Sequence, residues 1–124
     1  MKQWNIDGGG LTRIIQEAVP GKQITMAHVI SSPNELIYQK LGLDPTIDYN
    51  KAAIGVMTLS PSETAIIAAD IAMKRARIEI GFIDRFSGTL IITGKIADVS
   101  MAWETVLMYA EREMGFSVCK ITKA

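Results

Sequence analysis

The sequence has one cysteine, Cys119, and one histidine, His28, in 124 residues. No intrachain disulfide can form, and the paired spacing of a C-x-x-C metal site is missing, so the chain suits a reducing cytosol. Charge of one sign is missing too. Thirteen basic and thirteen acidic residues cancel, and a pI near 6.6 gives no field that would gather phosphates, which argues against a nucleic-acid partner. No apolar run approaches the roughly 18 residues of a membrane span, and the opening MKQWNIDGGG lacks the apolar region of a signal peptide.

Catalytic constellations are scarce as well. Acid–base chemistry needs titratable groups that converge. Here Glu104 and Glu111 lie seven residues apart on one exposed helix face, and Asp70 with Lys74 makes an ordinary i, i+4 pair. The triple glycine at 8–10 opens no helix of a βαβ unit, and no G-x-x-x-x-G-K-[ST] run exists, so phosphate cradling has no support. Cys119 reads as a small packed residue. The expectation is a chain with no catalytic, cofactor-binding or metal-binding residues.

What is present is apolar surface. Hydrophobic residues make up 48% and the mean hydropathy is +0.21, high for a chain of this size, which implies that some apolar surface is covered by other chains. One domain is expected, preceded by an arm at residues 1–11 in which Gly8, Gly9 and Gly10 hold no defined backbone unless packed. Trp4 in that arm is either a loose contact or a docking anchor.

The chain is organised around residues 53–88. Ala53 to Leu59 is apolar on both pleat faces, as in a central strand. Ser60, Pro61 and Glu63 form an S-P-x-E capping signal that predicts a helix over 61–76. Ile66, Ala69, Met73 and Ala76 mark one face of it, while Ala65, Ala68 and Ala72 make a second, small-residue stripe. Ile78, Ile80 and Phe82 then alternate as a strand, and Asp84 to Gly88 turns it into a hairpin with TLIIT at 89–93. Gly55 and Gly81 mark a bulge or a close backbone approach.

The flanks are read in the same way. Residues 12–19 form a short strand outside the main sheet, closed by Pro20-Gly21, and Leu43 to Lys51 is a connecting loop. In the strand at 23–30, Ile24, Met26, His28 and Ile30 fall on one pleat face, and His28 reads as a packed, hydrogen-bonded side chain. Ser32-Pro33-Asn34-Glu35 repeats the capping signal for a helix that ends at Gly42. Val99, Trp103, Val106, Ala110 and Met114 trace one face of a long helix stopped by Gly115, and Met101, Met108 and Met114 suit core or interface. A strand over 116–122 closes a ferredoxin-like α+β order, strand-helix-strand-strand-helix-strand, with the strand at 23–30 added in front.

The blocks KQITMAHVI, AIGVMTLSPSETAIIAADIAMK and IEIGFIDRFSGTLIITG, with the final strand, resemble the circularly permuted class of bacterial microcompartment (BMC) shell proteins. They are most similar to the hexamer-forming tiles of ethanolamine-, propanediol- and choline-utilisation compartments, from about Arg13 to Lys123. The resemblance implies a permuted ferredoxin-like BMC fold over residues 12–124, an antiparallel sheet with helices packed on it. In ordinary tiles the strand like Met26 to Ile30 comes last; here it comes first. The implied function is a self-assembling shell tile in the bacterial cytoplasm. Its partners are five copies of itself in a homohexamer, other microcompartment shell proteins and encapsulated enzymes.

Site residues follow from the same resemblance. Lys74 matches an edge lysine between hexamers, and Asp84, Arg85, Phe86, Ser87 and Gly88 match a loop facing the central pore. Arg13, Ile14, Ile15, Gln16, Glu17, Ala18 and Val19, within the segment 12–21, match a strand of an axial β-barrel that six subunits build. Ala52 stands where some relatives carry glycine, which removes the basis for a bend at that point. The rival reading is a small-molecule-sensing oligomer on the same ferredoxin-like fold.

Overall fold

The computed structural model describes residues 21–31, 33–41 and 53–124. In chain order these form β1 (Gln23–Ile30), α1 (Glu35–Lys40), β2 (Ala53–Ser60), α2 (Thr64–Arg75), β3 (Glu79–Asp84), β4 (Thr89–Gly94), α3 (Ile96–Met114) and β5 (Thr122–Lys123). The strands make one sheet in the order β3-β4-β2-β1-β5. All pairs are antiparallel except β1 with β5.

This order locates the permutation. In a ferredoxin-like βαββαβ unit built on β2, the strand beyond the first should be the last one, reached through the second helix. Here β1, from before the unit, fills that slot, antiparallel to β2 from Gln23 opposite Ser60 to Ile30 opposite Ile54. The segment after α3 lies outside β1 instead. The expected strand over 116–122 is therefore shorter than its apolar pattern suggests. It touches β1 at two places, through the Ser117 bridge to Gln23 and the two residues of β5, with Ala124 donating to the Val29 carbonyl at 2.9 Å.

Both α2 and α3 pack on one face of the sheet and against each other. Ile24, Ala27 and Val29 from β1, Met57 and Leu59 from β2, and Leu90 and Ile92 from β4 are buried beneath them. Gly55 is required here, because a Cβ would lie 2.8 Å from both Trp103 Nε1 and Val99 Cγ1. The close approach read from the sequence is thus real. Gly81 sits at the register shift between Ile80 and Phe82, the bulge that its position suggested.

Three local readings are corrected. Ser60 does not cap α2: it is paired with Gln23 as the last residue of β2, and the helix begins only at Thr64. Residues 61–63 turn first and α2 starts at Thr64, with no side-chain cap from Glu63. Its first amides are satisfied by i→i−3 bonds, from Thr64 to Pro61 at 3.0 Å and from Ala65 to Ser62 and Ile66 to Glu63 at 3.2 Å.

Secondly, a bulge between Ile24 and Met26 shifts the phase of β1. Ile24 faces the helices with Ala27 and Val29, while Met26 and His28 pair with Thr58 and Val56 on the opposite face. His28 is half-buried and hydrogen-bonded, its Nδ1 to the Thr122 hydroxyl and its carbonyl accepting from Trp103 Nε1 at 3.2 Å. Thirdly, Ile66 and Met73 of α2 are not buried, whereas Ala65, Ala68, Ala69 and Ala72 are. A stripe of alanines lets the helix backbone approach sheet and α3 closely, and Ile66, Ile67 and Met73 are turned away while Ile71 packs at the edge of the core.

In the second S-P-x-E signal the cap is Asn34, whose Oδ1 accepts from the Leu36 amide at 2.8 Å. Ser32 and Gly42 lie outside the described residues, as do the arm at 1–11, the strand at 12–19, the loop from Leu43 and Ala52.

Candidate functional site

The loop between β3 and β4 is held from within. The carboxylate of Asp84 accepts from the amides of Phe86 at 2.8 Å and Ser87 at 3.3 Å, and the Gly88 amide returns to the Asp84 carbonyl at 2.8 Å. The Phe86 amide first, and then the Ser87 hydroxyl and amide, hold the Asp84 carboxyl below its ordinary value of 3.8. Gly88 has φ +77°, and a Cβ there would lie 2.1 Å from the Leu59 carbonyl oxygen, so the turn is pinned onto the end of β2. The Leu59 amide also donates to the Gly88 carbonyl at 2.8 Å.

With the backbone fixed, two side chains are left to reach outward. Phe86 is 81% exposed, and the Arg85 guanidinium carbon lies 5.0 Å from its ring centroid, a cation–π pair in the open. Beside them Ile66 of α2 and Ile83 of β3, with Asp84, complete a mixed polar and apolar hollow of about 310 Å³.

Lys74 is at the other end of α2. The helix has 12 residues, so its ends are about 18 Å apart. The structure thus places the two groups of predicted site residues at opposite ends of one helix and brings no residue of one to the other. Lys74 pairs with Asp70 at 2.9 Å, both side chains well exposed at 70% and 60%. An exposed i, i+4 pair of this kind is worth about 0.3–0.5 kcal/mol, too little to explain a lysine by stability.

Around Lys74 runs a groove of about 610 Å³ between α2 and α3. Ile71, Met101, Met108 and Tyr109 supply its apolar part, and Lys74, Arg75, Arg112, Asp70 and Glu113 its charges. Met101 and Met108 are about half exposed, which takes these two out of the core of the single chain. The sequence pattern had marked them only as core or interface. Residues 13–19 lie outside the described residues.

Among the described residues no group of three or more His, Cys, Asp or Glu is placed to hold a metal ion, and no helix is long and apolar enough to cross a membrane. Cys119 is half-buried on the segment leading to β5. Among the described residues the candidate features are surfaces: a rigid turn with a projecting aromatic, a charged and apolar groove, and an outward row of large apolar side chains on α2. The described residues thus present these surfaces on a permuted ferredoxin-like fold.

Comparison with known proteins makes this specific. The family model described as BMC domain matches residues 53–122, leaving β1 outside and before it, as a permutation requires. The shell protein CutR of Streptococcus intermedius is 51% identical over 116 residues, 94% of this chain and 96% of that one. The shell proteins EutS and PduU of Salmonella typhimurium are 47% and 45% identical, each over 90% of this chain and over 96% and 92% of their own. The chain belongs to the bacterial microcompartment shell-protein family.

Solved structures agree. A flat hexamer of CutR is 50% identical and superposes with a TM-score of 0.78, covering 91% of this chain and all of that one. A CutR screw of 41.9 Å pitch, 48% identical, gives 0.77 over 85% of this chain and all of that one. A domain-swapped CutR dimer, also 48% identical, gives 0.60 over 84% and all of that one. The last difference arises from conformation, since identity and coverage scarcely change.

Proposed function

We propose that this chain is a structural tile of a catabolic microcompartment shell, assembling as a homohexamer that packs edge to edge with further copies and with other shell proteins. The observation that carries the reading is the near full-length likeness to CutR in its flat hexamer. The outward apolar residues of α2 support it, because Ile66, Ile67 and Met73 are 44–57% exposed in the single chain and suit burial against another.

In this reading Lys74 is an edge residue, the turn 84–88 faces the sixfold axis with Arg85 and Phe86 foremost, and residues 13–19 supply the axial barrel. The domain division, arm at 1–11 and tile at 12–124, belongs to the same proposal, as does contact with encapsulated enzymes. No step of catalysis is assigned to it.

Sedimentation at micromolar concentration tests the oligomer, with a hexamer expected and a well-behaved monomer overturning the reading. Electron microscopy of Lys74→Ala tests the edge. Its hexamer and melting temperature should match the parent while extended sheets disappear. Equal loss of hexamer and sheets would return Lys74 to an ordinary helix-end cation.

A further inference from the structure

We propose that Met101 and Met108 form a modification site for hydrogen peroxide, at which oxidation of the two thioethers weakens association through the groove beside Lys74. The two residues stand seven apart on α3, about two turns and about 10 Å along the helix, so they lie on one line of its surface. Together with Ile71 of α2 and Tyr109 they line the groove, and they are 47% and 48% exposed. Other methionines are shielded. Met57 on β2 is fully buried, and Met114 at the end of α3 packs against the core. Cys119 is half-buried on the segment leading to β5 and does not line the groove, so the oxidisable sulfurs there are thioethers.

The chemistry needs only the peroxide. A thioether sulfur attacks one oxygen of hydrogen peroxide, an S–O bond forms as the O–O bond breaks, and sulfur gives up two electrons. The departing oxygen takes the proton of the transferred one and leaves as water. Methionine suits a contact surface because its flexible thioether is apolar and adapts to the shape it meets. The sulfoxide places a polar acceptor where that apolar atom stood, and covering it against a neighbour means desolvating it. A tile oxidised before it packs is therefore hindered from joining, whereas thioethers already covered in an extended sheet are protected. This consequence rests on the reading of Lys74 as an edge residue; the site itself does not.

Hydrogen peroxide applied to the folded protein tests both. Peptide masses should show sulfoxide at Met101 and Met108 forming at least about ten times faster than at Met57, which reacts only when the fold opens. Equal rates would overturn the site. For the consequence, Met73→Leu is compared with the triple variant Met73→Leu, Met101→Leu, Met108→Leu, in which leucine nearly keeps the volume of methionine. Met73 is replaced in both because it is 57% exposed on α2 and oxidises as well. After peroxide the first protein should sediment as a hexamer but lose its extended sheets in electron micrographs. Methionine sulfoxide reductases should restore them, a dithiol closing to a disulfide as the oxygen leaves as water. The triple variant should keep hexamer and sheets throughout. Sheets that persist with Met101 and Met108 fully oxidised, or that vanish equally from the triple variant, would sink the inference. Absence of sheets from the untreated parent would instead overturn the edge reading, and the consequence with it, while the peptide masses still decide the site.

Discussion

The two long helices use their residues in opposite ways. On its core face α3 buries large side chains: Val99, Trp103 and Val106 are at most 1% exposed, and Leu107 packs with them, while Met101, Met108 and Tyr109 stay outside the core. α2 buries only alanines and turns Ile66, Ile67 and Met73 outward. One helix is therefore a core element of a single chain. The other is mainly a spacer toward the core, with Ile71 packed at its edge, and carries Ile66, Ile67 and Met73 on the side away from it. The difference shows that hydrophobic content and contribution to the core are separate quantities in a chain that assembles. α2 is as hydrophobic as α3 on average but contributes little volume within its own subunit.

That contrast breaks most severely at Trp103. Its ring fills the space over Gly55 and its Nε1 donates to the His28 carbonyl, so it links α3 to both β2 and β1. Trp103→Ala should cost about 3–5 kcal/mol and leave a buried carbonyl without that donor. A fall of the urea midpoint with little change in slope would report it. A loss within the range of a surface substitution would show that α3 is not the main core helix.

The two faces of α2 give a sharper and smaller test. Ala72 is fully buried, and Ala72→Leu should push the helix off the sheet and cost about 1–3 kcal/mol. Its neighbour Met73 is 57% exposed, and Met73→Ser should change the stability of the isolated chain by no more than about 0.5 kcal/mol. In the assembly reading Met73→Ser weakens self-association instead. Dilution series by light scattering, set beside denaturation midpoints, separate the two. If both substitutions act on the fold alone, the outward face of α2 is ordinary surface.

How much of this was readable beforehand depends on where the deciding force lies. β2 and β4 announce themselves because strands with two neighbours are apolar, and Gly55 and Gly81 because a missing side chain in a strand marks crowding or a bulge. The phase of β1 could not be read by alternation. One inserted residue between Ile24 and Met26 reverses the face, and a bulge leaves no trace in a hydrophobic pattern. Ser60 misled because the same S-P-x-E letters suit a cap or a strand end, and pairing with Gln23 decided it. The ends of β5 depend on the edge that β1 offers, which lies 94 residues away in the case of His28 and Thr122. For the site, the turn 84–88 was legible as a turn, but the internal locking of Asp84 and the projection of Phe86 follow from geometry. The groove by Lys74 was only half visible, through Met101 and Met108, because it needs two helices side by side.

The smallest effect belongs to the turn, and it separates the rigid loop from the assembling helix. Asp84 is held below 3.8 by the Phe86 amide first and by Ser87 after it, so the folded chain binds its proton less readily than the unfolded one. A depressed carboxyl contributes stability that is complete above its unfolded value and is lost as pH falls through the folded one. From about pH 7 down to about pH 5, Asp84 should therefore add no pH dependence, and its contribution should decline only below 3.8. Asp84→Asn keeps an acceptor for the Phe86 and Ser87 amides and removes the titration. The melting-temperature gap between parent and variant should be steady near neutrality and narrow in acid. A carbon-detected NMR titration of the parent should place the Asp84 midpoint below 3.8. A midpoint at or above that value would mean that the amides do not hold the carboxylate in solution. Arg85 and Phe86 would then project from a turn that moves, and the contrast between a fixed loop at one end of α2 and an assembling surface along it would fail.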